Sequence, residues 1–456
     1  MKQVKVKQDQ TQMIKCKIMK FMKNIYLIVV SVLSITSSIA QEKSWDLQEC
    51  VDYALENNIS ILQAQNTILS NDQDIIASKG NFLPSLSSNL NQSMSLGTVE
   101  LYPGSFADRR FNSSSLGLNL SQTVFNGFRN LNILKQSKIA LERSENELNK
   151  IKDDVSLNVA NFYLNILFNK ENLALAKSQY EFSYKQLKQV ESLVNAGVQP
   201  QANIIDAEAT LSLDEQNLTT AQNNYRLALL NLTQLLQIPL EGFNVVAIDV
   251  EAPSESLLYT DIKPIINYAL ENRNEIKVAN NNIDLAKFST KISESSYLPS
   301  VSFGYGFNAS ANFSNLSSSN SFFQQINDNK GHSLNMNISV PIFSRNQIKT
   351  NVAKSKIQED NSDLGLIQAQ LNVEATVQRA FTDAKAALKS YQAAKKSLQS
   401  QELAFENSQQ RYQLGTINTI DLEQVRIRLL NAESSLINSK YDFIFKTKVL
   451  DFYMGK

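Results

Sequence analysis

The feature that most constrains this chain is an internal repeat. The segment Tyr53-Ala-Leu-Glu-Asn57 recurs as Tyr268-Ala-Leu-Glu-Asn272, and Phe82-Leu-Pro-Ser85 recurs as Tyr297-Leu-Pro-Ser300. Both pairs are separated by 215 residues, so no insertion lies between them. Self-similarity at a fixed spacing is the signature of a duplicated structural unit, so a fold proposed for one half must also fit the other.

The similarity continues through the rest of each half. Three further matches follow in chain order: Val124-Phe125-Asn126 with Ile342-Phe343-Ser344, Gly197 with Gly415, and Asp206 with Asp421. We therefore predict two internal repeats, the first over residues 41–240 and the second over 261–456, joined by a connector over 241–260.

Residues 1–40 have the pattern of a secretory signal peptide. Seven lysines precede an apolar core at 25–35, and Ser38 and Ala40 are small residues of the kind that a signal peptidase requires. The core is too short to cross a bilayer as a helix, which takes about 20 residues. We expect cleavage after Ala40 and export of the mature chain.

Composition excludes several classes of function. Basic and acidic residues balance at 44 each, but the predicted signal peptide holds seven of the lysines and one aspartate, so the mature chain is acidic, unlike a nucleic-acid-binding protein. One histidine and two cysteines are too few for most histidine- or cysteine-based catalysis and for zinc sites. No nucleophile, phosphate-loop or metal-ligand motif is present, so we predict neither an enzyme nor a bound cofactor or metal.

Each half contains two segments with the period of a β-strand. In the first, Leu86, Leu90 and Met94 alternate with polar residues such as Asn89 and Asn91, and the other three segments repeat this pattern. Period-two alternation over about 10 residues, with small uncharged polar residues on the second face, is typical of membrane-spanning strands. The alternative is a soluble sandwich, although its wet face would usually carry lysine, glutamate and threonine.

The boundaries of these segments predict two β-hairpins, at 85–125 and 300–343, with Ser/Asn/Gly-rich loops at 97–112 and 309–331. Four residues mark the predicted boundaries between helix and strand: Pro84, Pro299, Phe125 and Phe343. The prolines fit this role because proline ends a helix and restricts the residue before it to extended conformations.

A very long helical pattern follows each hairpin. Residues 127–195 and 344–414 carry apolar residues at coiled-coil spacing, and about 70 residues at 1.5 Å each make a rod of about 105 Å. Each rod is followed by a glycine and a returning helix of about 35 residues, giving helical hairpins over 126–237 and 344–452. A helix of about 35 residues also precedes each β-hairpin.

Four strands cannot close a membrane barrel, because single-chain barrels begin at about eight strands. An open sheet edge in lipid would leave backbone groups without hydrogen bonds, at several kcal/mol each. The chain must therefore form an oligomer: two copies supply eight strands, and three copies supply twelve and a pore.

These motifs together resemble those of the TolC-type outer-membrane efflux protein family. The resemblance covers the mature chain from Trp45 to about Phe452, and its specificity lies in the doubled order of the motifs. It implies a mainly α-helical protein whose homotrimer forms a 12-stranded β-barrel, continued by a long α-helical coiled-coil barrel in the periplasm. It also implies a periplasmic adaptor protein and an inner-membrane pump of RND or ABC type as partners, with no catalysis in the channel.

The resemblance also assigns residues to a periplasmic gate. Asp421 and Asp206 correspond to carboxylates at the hairpin ends that ring the pore, and Tyr412 corresponds to a tyrosine in the closing network. Gln424 stands where relatives have a second acidic residue, and Ile417 replaces their basic partner, which weakens the expected lock. The tips expected to dock the adaptor contain Gly197, Pro200, Gly415 and Thr416. The alternative role for Asp206 and Asp421 is to cap the returning helices, since aspartate is favoured at helix N-caps.

We therefore expect an outer-membrane channel of a tripartite efflux or type I secretion system, which conducts substrates passively. The competing hypothesis is a non-transporting coiled-coil envelope protein with a peripheral β-domain. The sequence leaves open the substrate and the pump class, because a duct lined by serine, asparagine and glutamine has no specific chemistry toward its cargo.

Overall fold

The computed structural model describes residues 43–246, 259 and 261–455. The predicted signal peptide over 1–40, and most of the predicted connector over 241–260, lie outside these residues. None of the helices described is both long and apolar enough to span a membrane.

The first half of the chain alternates short and very long elements. In chain order these are β1 (Lys43–Trp45), α1 (Leu47–Asn57), α2 (Ile59–Gly80), β2 (Ser85–Tyr102), β3 (Ser105–Asn126), α3 (Arg129–Asn195), α4 (Ala202–Leu236) and β4 (Phe243–Val245).

The second half follows a similar order. Its elements are α5 (Lys263–Asn272), α6 (Asn274–Glu294), a 3₁₀ turn (Ser295–Tyr297), β5 (Ser300–Ser314), α7 (Phe322–Asp328), β6 (Gly331–Ser339), α8 (Gln347–Gln413) and α9 (Thr419–Tyr453).

The long helices predicted from the coiled-coil pattern are confirmed. Helices α3 and α8 each contain 67 residues, and the returning helices α4 and α9 each contain 35. Gly365, the one glycine inside α8, is tolerated because nothing lies near the position that its Cβ would occupy.

The helical stretch of about 35 residues predicted before each hairpin is present, but it is divided into two helices. In the first half the helix is interrupted at Asn58, which has extended backbone angles and accepts a hydrogen bond from the Ser60 amide at 2.9 Å. In the second half Arg273 takes the same extended conformation between α5 and α6. Each interruption ends one helix and lets the next one start.

The loop predicted at 97–112 is also wrong. Strand β2 continues to Tyr102, β3 begins at Ser105, and the hairpin turns at Pro103 and Gly104, whose φ is +83°. Asp108, Arg109 and Arg110 therefore belong to β3, which extends beyond the segment with alternating apolar residues.

The loop predicted at 309–331 is partly wrong. Strand β5 extends to Ser314, and helix α7 occupies the middle of the connection. The Gln325 side chain of α7 accepts a hydrogen bond from the Asn312 amide of β5 at 2.8 Å. This side chain supplies a hydrogen bond to β5 just beyond Asn308, the last β5 residue paired with β6.

The four long strands form one antiparallel sheet in the order β2-β3-β5-β6. Strands β2 and β6 lie at its edges and are exposed almost throughout. One face carries the apolar residues predicted from the alternation, and several are strongly exposed, including Leu90 at 82% and Leu334 at 81%. A chain on its own thus presents both sheet edges and a broad apolar face.

The described residues divide into two compact units. The unit formed by 43–53 and 159–246 contains the parallel pair β1 and β4 and a core that includes the buried Cys50. At its centre the Tyr163 hydroxyl donates to the carbonyls of Val246 at 2.8 Å and Trp45 at 3.2 Å, and burial raises the pKa of this tyrosine.

The other unit comprises 54–158, 259 and 261–455. It contains the four-stranded sheet and an apolar cluster between α5, α6, α8 and α9, built on Ile265, Ala269, Ile276, Val373, Val377, Ala380, Ala384 and Leu450. Small residues on α8 allow this close packing, because alanine lets helix backbones approach.

Candidate hairpin tips and channel wall

The second helical hairpin turns at Gly415, which has a φ of +71°. Its amide donates to the Tyr412 carbonyl and the Thr416 amide donates to the Arg411 carbonyl, both at 2.9 Å. This pair of bonds is a Schellman motif, which satisfies the last carbonyls of α8 and requires a left-handed residue at Gly415. The Thr416 hydroxyl also donates to the Arg411 carbonyl at 2.9 Å.

The first helical hairpin ends its long helix in the same way. Gly197 has a φ of +75°, its amide donates to the Val194 carbonyl, and the Val198 amide donates to the Leu193 carbonyl, both at 2.9 Å. Pro200 lies in the following loop, two residues before α4 begins. The two predicted tip glycines therefore occupy equivalent helix-ending positions.

Asp421 does not cap its helix, so this alternative is wrong. The N-cap of α9 is Asn418, whose side chain accepts a hydrogen bond from the Asp421 amide at 2.8 Å. Asp206 is the fifth residue of α4 and does not cap that helix either. Both carboxylates are exposed, and neither makes a hydrogen bond or ion pair with any residue that the structure describes.

Gln424 follows Asp421 by three residues on α9 and is also exposed, so the two side chains share one face of the helix. Tyr412 lies across the turn on α8, where its hydroxyl oxygen accepts a long hydrogen bond of 3.5 Å from the Thr419 hydroxyl. The tip therefore presents one free carboxylate and one amide, with a weak link between its two helices.

The polar face of the sheet is built from asparagine and glycine. Asn89 lies opposite Gly117, and Asn335 lies opposite Gly304, on neighbouring strands. A Cβ added at Gly304 would lie 2.5 Å from Asn335 Oδ1, so the glycine makes room for the amide to lie flat. Asn119 donates to Asn89 Oδ1 at 3.1 Å and links two strands on this face. The result is a thin, uncharged polar wall.

Comparison with known proteins decides the family. A family model described as "Outer membrane efflux protein" matches residues 50–236 and 265–456, which is most of the chain. The chain belongs to the outer membrane efflux protein family.

Individual relatives agree with this assignment. The outer membrane protein TolC of Salmonella enteritidis is 23% identical over 370 residues, covering 79% of this chain and 74% of that protein. TolC of Vibrio cholerae is 22% identical over 416 residues, covering 88% of each. Among solved structures, CusC superposes with a TM-score of 0.76 at 17% identity, covering 90% of this chain and 91% of that one, so the fold is shared.

As a member of the outer membrane efflux protein family, the chain is an outer-membrane channel protein of efflux or secretion systems. The family consists of transport proteins and not of enzymes. Family membership also argues against the non-transporting envelope protein. No group of side chains in the described ranges could hold a metal ion.

An ionic cluster that no sequence pattern indicated surrounds the buried Arg273 and joins α3, the junction of α5 and α6, and α9. Arg273, 7% exposed, donates from Nε and Nη2 to the Glu275 carboxylate at 3.2 and 3.0 Å, and its Nη1 lies 3.5 Å from Asp153 Oδ2. Its guanidinium also stacks 4.3 Å from the centre of the Phe452 ring. The repeat spacing could have pointed to Arg273, because this residue follows Asn58 by 215 residues and lies at the second helix interruption.

Opposing effects set the protonation of this cluster. Burial is the largest single effect on Glu275 and disfavours its ionisation, but the Arg273 hydrogen bonds, a backbone hydrogen bond and the charges of Arg273 and Lys150 together outweigh it, so the pKa of Glu275 lies below its usual value. Burial raises the pKa of the neighbouring Asp154. The cluster thus holds a charged Arg273–Glu275 pair at neutral pH.

A second ion pair that the sequence did not reveal lies near the second tip. Arg426, 5% exposed, binds both oxygens of Glu423 through Nε, with distances of 2.9 and 3.0 Å, and through Nη2 at 2.7 Å. Because Glu423 and Arg426 are three residues apart in α9, the pair could have been found from its spacing. It lies in the same part of α9 as Asp421 and Gln424.

Proposed function

We propose that three copies of this chain close a 12-stranded β-barrel in the outer membrane, continued by an α-helical barrel in the periplasm. The trimer conducts substrates passively from an inner-membrane pump and a periplasmic adaptor to the outside. The observation that carries this proposal is the antiparallel sheet β2-β3-β5-β6, which has two open edges, one apolar face and one polar face.

The sheet order supports closure between copies. Strands β2 and β6 run in opposite directions, because three antiparallel pairings separate them. Pairing β6 of one copy with β2 of the next therefore continues the antiparallel pattern and removes every edge. Twelve strands leave an open interior, whereas eight are filled by their own side chains.

The length of the helices supports a periplasmic conduit. Helices α3 and α8 each contain 67 residues, or about 100 Å at 1.5 Å per residue. We propose that the halves 41–240 and 261–456 are duplicated repeats, so that three chains contribute six similar helical hairpins to this conduit.

The free carboxylate of Asp421 supports a gate at the second hairpin tip. Three copies of Asp421 around a threefold axis would create a negative field that favours cations, with Gln424 and Tyr412 completing the constriction and Asp206 as the counterpart in the first hairpin. Because Glu423 is paired with Arg426, Asp421 is the carboxylate left free in this turn, and with a 3.5 Å link at Tyr412 we expect a gate that opens readily.

The helix-ending turns support docking of the adaptor at 190–206 and 408–424. Gly197 and Gly415 place both turns in the same backbone geometry, and Pro200 and Thr416 lie in the exposed segments that follow. The pump that the adaptor joins is of RND or ABC type.

Single-channel recording of the purified mature protein in planar bilayers tests this function. We expect small cation-selective currents from a trimer, and a rise in conductance with loss of cation selectivity in Asp421→Ala. Asp360→Ala removes an exposed carboxylate of α8 about 80 Å from the tip and should leave the current unchanged. The absence of channels from a purified trimer would contradict the proposed duct. If Asp421→Ala changes neither the conductance nor the ion selectivity of the channels, only the proposed gate is contradicted.

A further inference from the structure

The aliphatic residues on the apolar face of β2 end at a defined level, and beyond it this face of the hairpin carries Glu100 and Asp108 together with the exposed Phe106. On β2 the outward-facing apolar residues run from Leu86 through Leu90 and Met94 to Leu96. From Leu86 to Leu96 the strand rises roughly 33 Å, and a tilt of about 40° reduces this to about 25 Å of depth, the height of the apolar band of outer-membrane barrels. Leu96 therefore marks one boundary of the bilayer.

That boundary is the outer one. The Leu86 end of the hairpin follows directly from helix α2 and leads into α3 through β3, whereas the Leu96 end continues only to the turn at Pro103 and Gly104. In the proposed channel the helices occupy the periplasm, so the turn faces the outside.

Arg110 lies directly opposite Leu96 on β3 and on the same outward face. Its side chain is exposed, and its guanidinium makes no ion pair or side-chain hydrogen bond with any residue in the described part of the chain. Its backbone is held in the sheet, since the Arg110 amide donates to Asn315 Oδ1 at 2.7 Å. A fixed strand position thus presents a free cation at the edge of the apolar band.

The acidic residues next along the hairpin do not neutralise Arg110. Asp108, two residues away on the same face, accepts a hydrogen bond from the Thr98 hydroxyl at 3.1 Å. Glu100 accepts one from the Gly104 amide at 2.7 Å, at the turn. Both carboxylates lie farther from the apolar band than Arg110 does.

We propose that Arg110 binds a phosphate group of the outer-leaflet lipid and so fixes the depth of the barrel in the membrane. An arginine fork matches the oxygens of a phosphate and can bind two of them at once. Leu96 lies opposite Arg110, so an aliphatic side chain and a free guanidinium meet at the headgroup level. This pair suits a ligand that has an acyl chain beside a phosphate. This inference rests on the proposed membrane-spanning barrel.

The neighbouring Arg109 provides a matched control. It lies on the opposite face of β3, where its guanidinium stacks 4.4 Å from the centre of the Phe111 ring. Substitution of either arginine by glutamine removes one charge from the same strand, but only Arg110 faces the lipid. Arg110→Lys keeps the charge and loses the fork.

The test titrates the purified full-length protein in detergent with bisphosphorylated lipid A and, separately, with dephosphorylated lipid A, and measures bound lipid by native mass spectrometry. We expect Arg110→Gln to weaken binding of the phosphorylated lipid about fivefold, the effect of one basic charge near an anionic surface. Arg109→Gln should bind like the wild type, Arg110→Lys should fall between, and dephosphorylated lipid should not distinguish the variants.

Two results would overturn the inference: equal binding by Arg110→Gln and the wild type, or equal losses in Arg110→Gln and Arg109→Gln. The melting temperature and mass of each variant establish that it is folded and assembled. A separate measurement distinguishes failure of the barrel itself. If wild-type protein in liposomes is released by alkaline washing, the membrane-spanning proposal fails, whereas retention together with an unaffected Arg110→Gln variant refutes only the phosphate contact.

Discussion

Removal of the Arg273 guanidinium should loosen the junction between α5 and α6 more than any exposed charge in the same region. In Arg273→Ala the carboxylates of Glu275 and Asp153 lose their ion pair, although Asp153 keeps the hydrogen bond from the Asn274 side chain at 3.0 Å, and the Phe452 ring loses a stacked cation. Breaking a fully buried pair costs about 3–5 kcal/mol. Because these carboxylates are 28% and 33% exposed, we reduce this cost to about 2 kcal/mol and add about 1 kcal/mol for the lost cation–π contact.

A loss of about 3 kcal/mol raises the equilibrium constant for local opening about 150-fold. Hydrogen exchange of the detergent-solubilised protein, read by mass spectrometry over 263–280, measures this change. Lys287→Ala is the control, because Lys287 pairs with Asp284 at 3.4 Å in the same helix and both are about half exposed, so the change should stay below about fivefold.

The pH dependence provides an independent check. Since the pKa of Glu275 is lowered in the folded protein, its ionised form stabilises the fold above its usual pKa, and this contribution is lost as the pH falls through the lowered value. The difference in melting temperature between wild type and Arg273→Ala should therefore narrow below about pH 4. Exchange rates in Arg273→Ala that match those of Lys287→Ala would refute the role assigned to this cluster.

Three further predictions concern glycines. Gly415→Ala forces a side chain into a left-handed position at a φ of +71°, at a cost of about 1 kcal/mol. Amide exchange around the second tip should therefore rise about fivefold, and unchanged exchange would contradict the Schellman geometry. Gly365→Ala, inside α8 with open space around it, should stabilise the helix by up to about 1 kcal/mol and raise the melting temperature, and a fall would show a contact there. Gly304→Leu should displace Asn335 from the polar wall and reduce single-channel conductance, and an unchanged current would mean that this face does not line the pore.

The sequence was sufficient to predict the long helices, because their information is local and repeated. Seven-residue spacing over about 70 residues, without an interior proline, permits little else, and α3 and α8 end within one residue of the predicted positions. The tip glycines were equally readable, since helices commonly end in a left-handed residue and Gly197 and Gly415 correspond in the two halves.

The wrong predictions concern residue types that occur in two kinds of structure. The stretch Asp108-Arg109-Arg110 suggests a loop, yet it forms the outer part of β3, because a strand that leaves the lipid can carry charges. Asp421 suggested a helix cap, but Asn418 three residues earlier takes that position. The Arg273 cluster joins three distant segments, and such contacts leave no periodic trace in the sequence.

The central claim, that three chains close one barrel by pairing β6 of one copy with β2 of the next, is tested most directly by disulfide cross-linking. In a Cys50→Ser background, Asn335→Cys on β6 is combined in turn with single cysteines at 87, 89, 91 and 93 on β2, which lie on the same polar face. We expect at least one combination to form cross-links in the membrane, with a ladder on a non-reducing gel that ends at three chains. A ladder that ends at two chains, or no cross-link with any of the four positions, would contradict it.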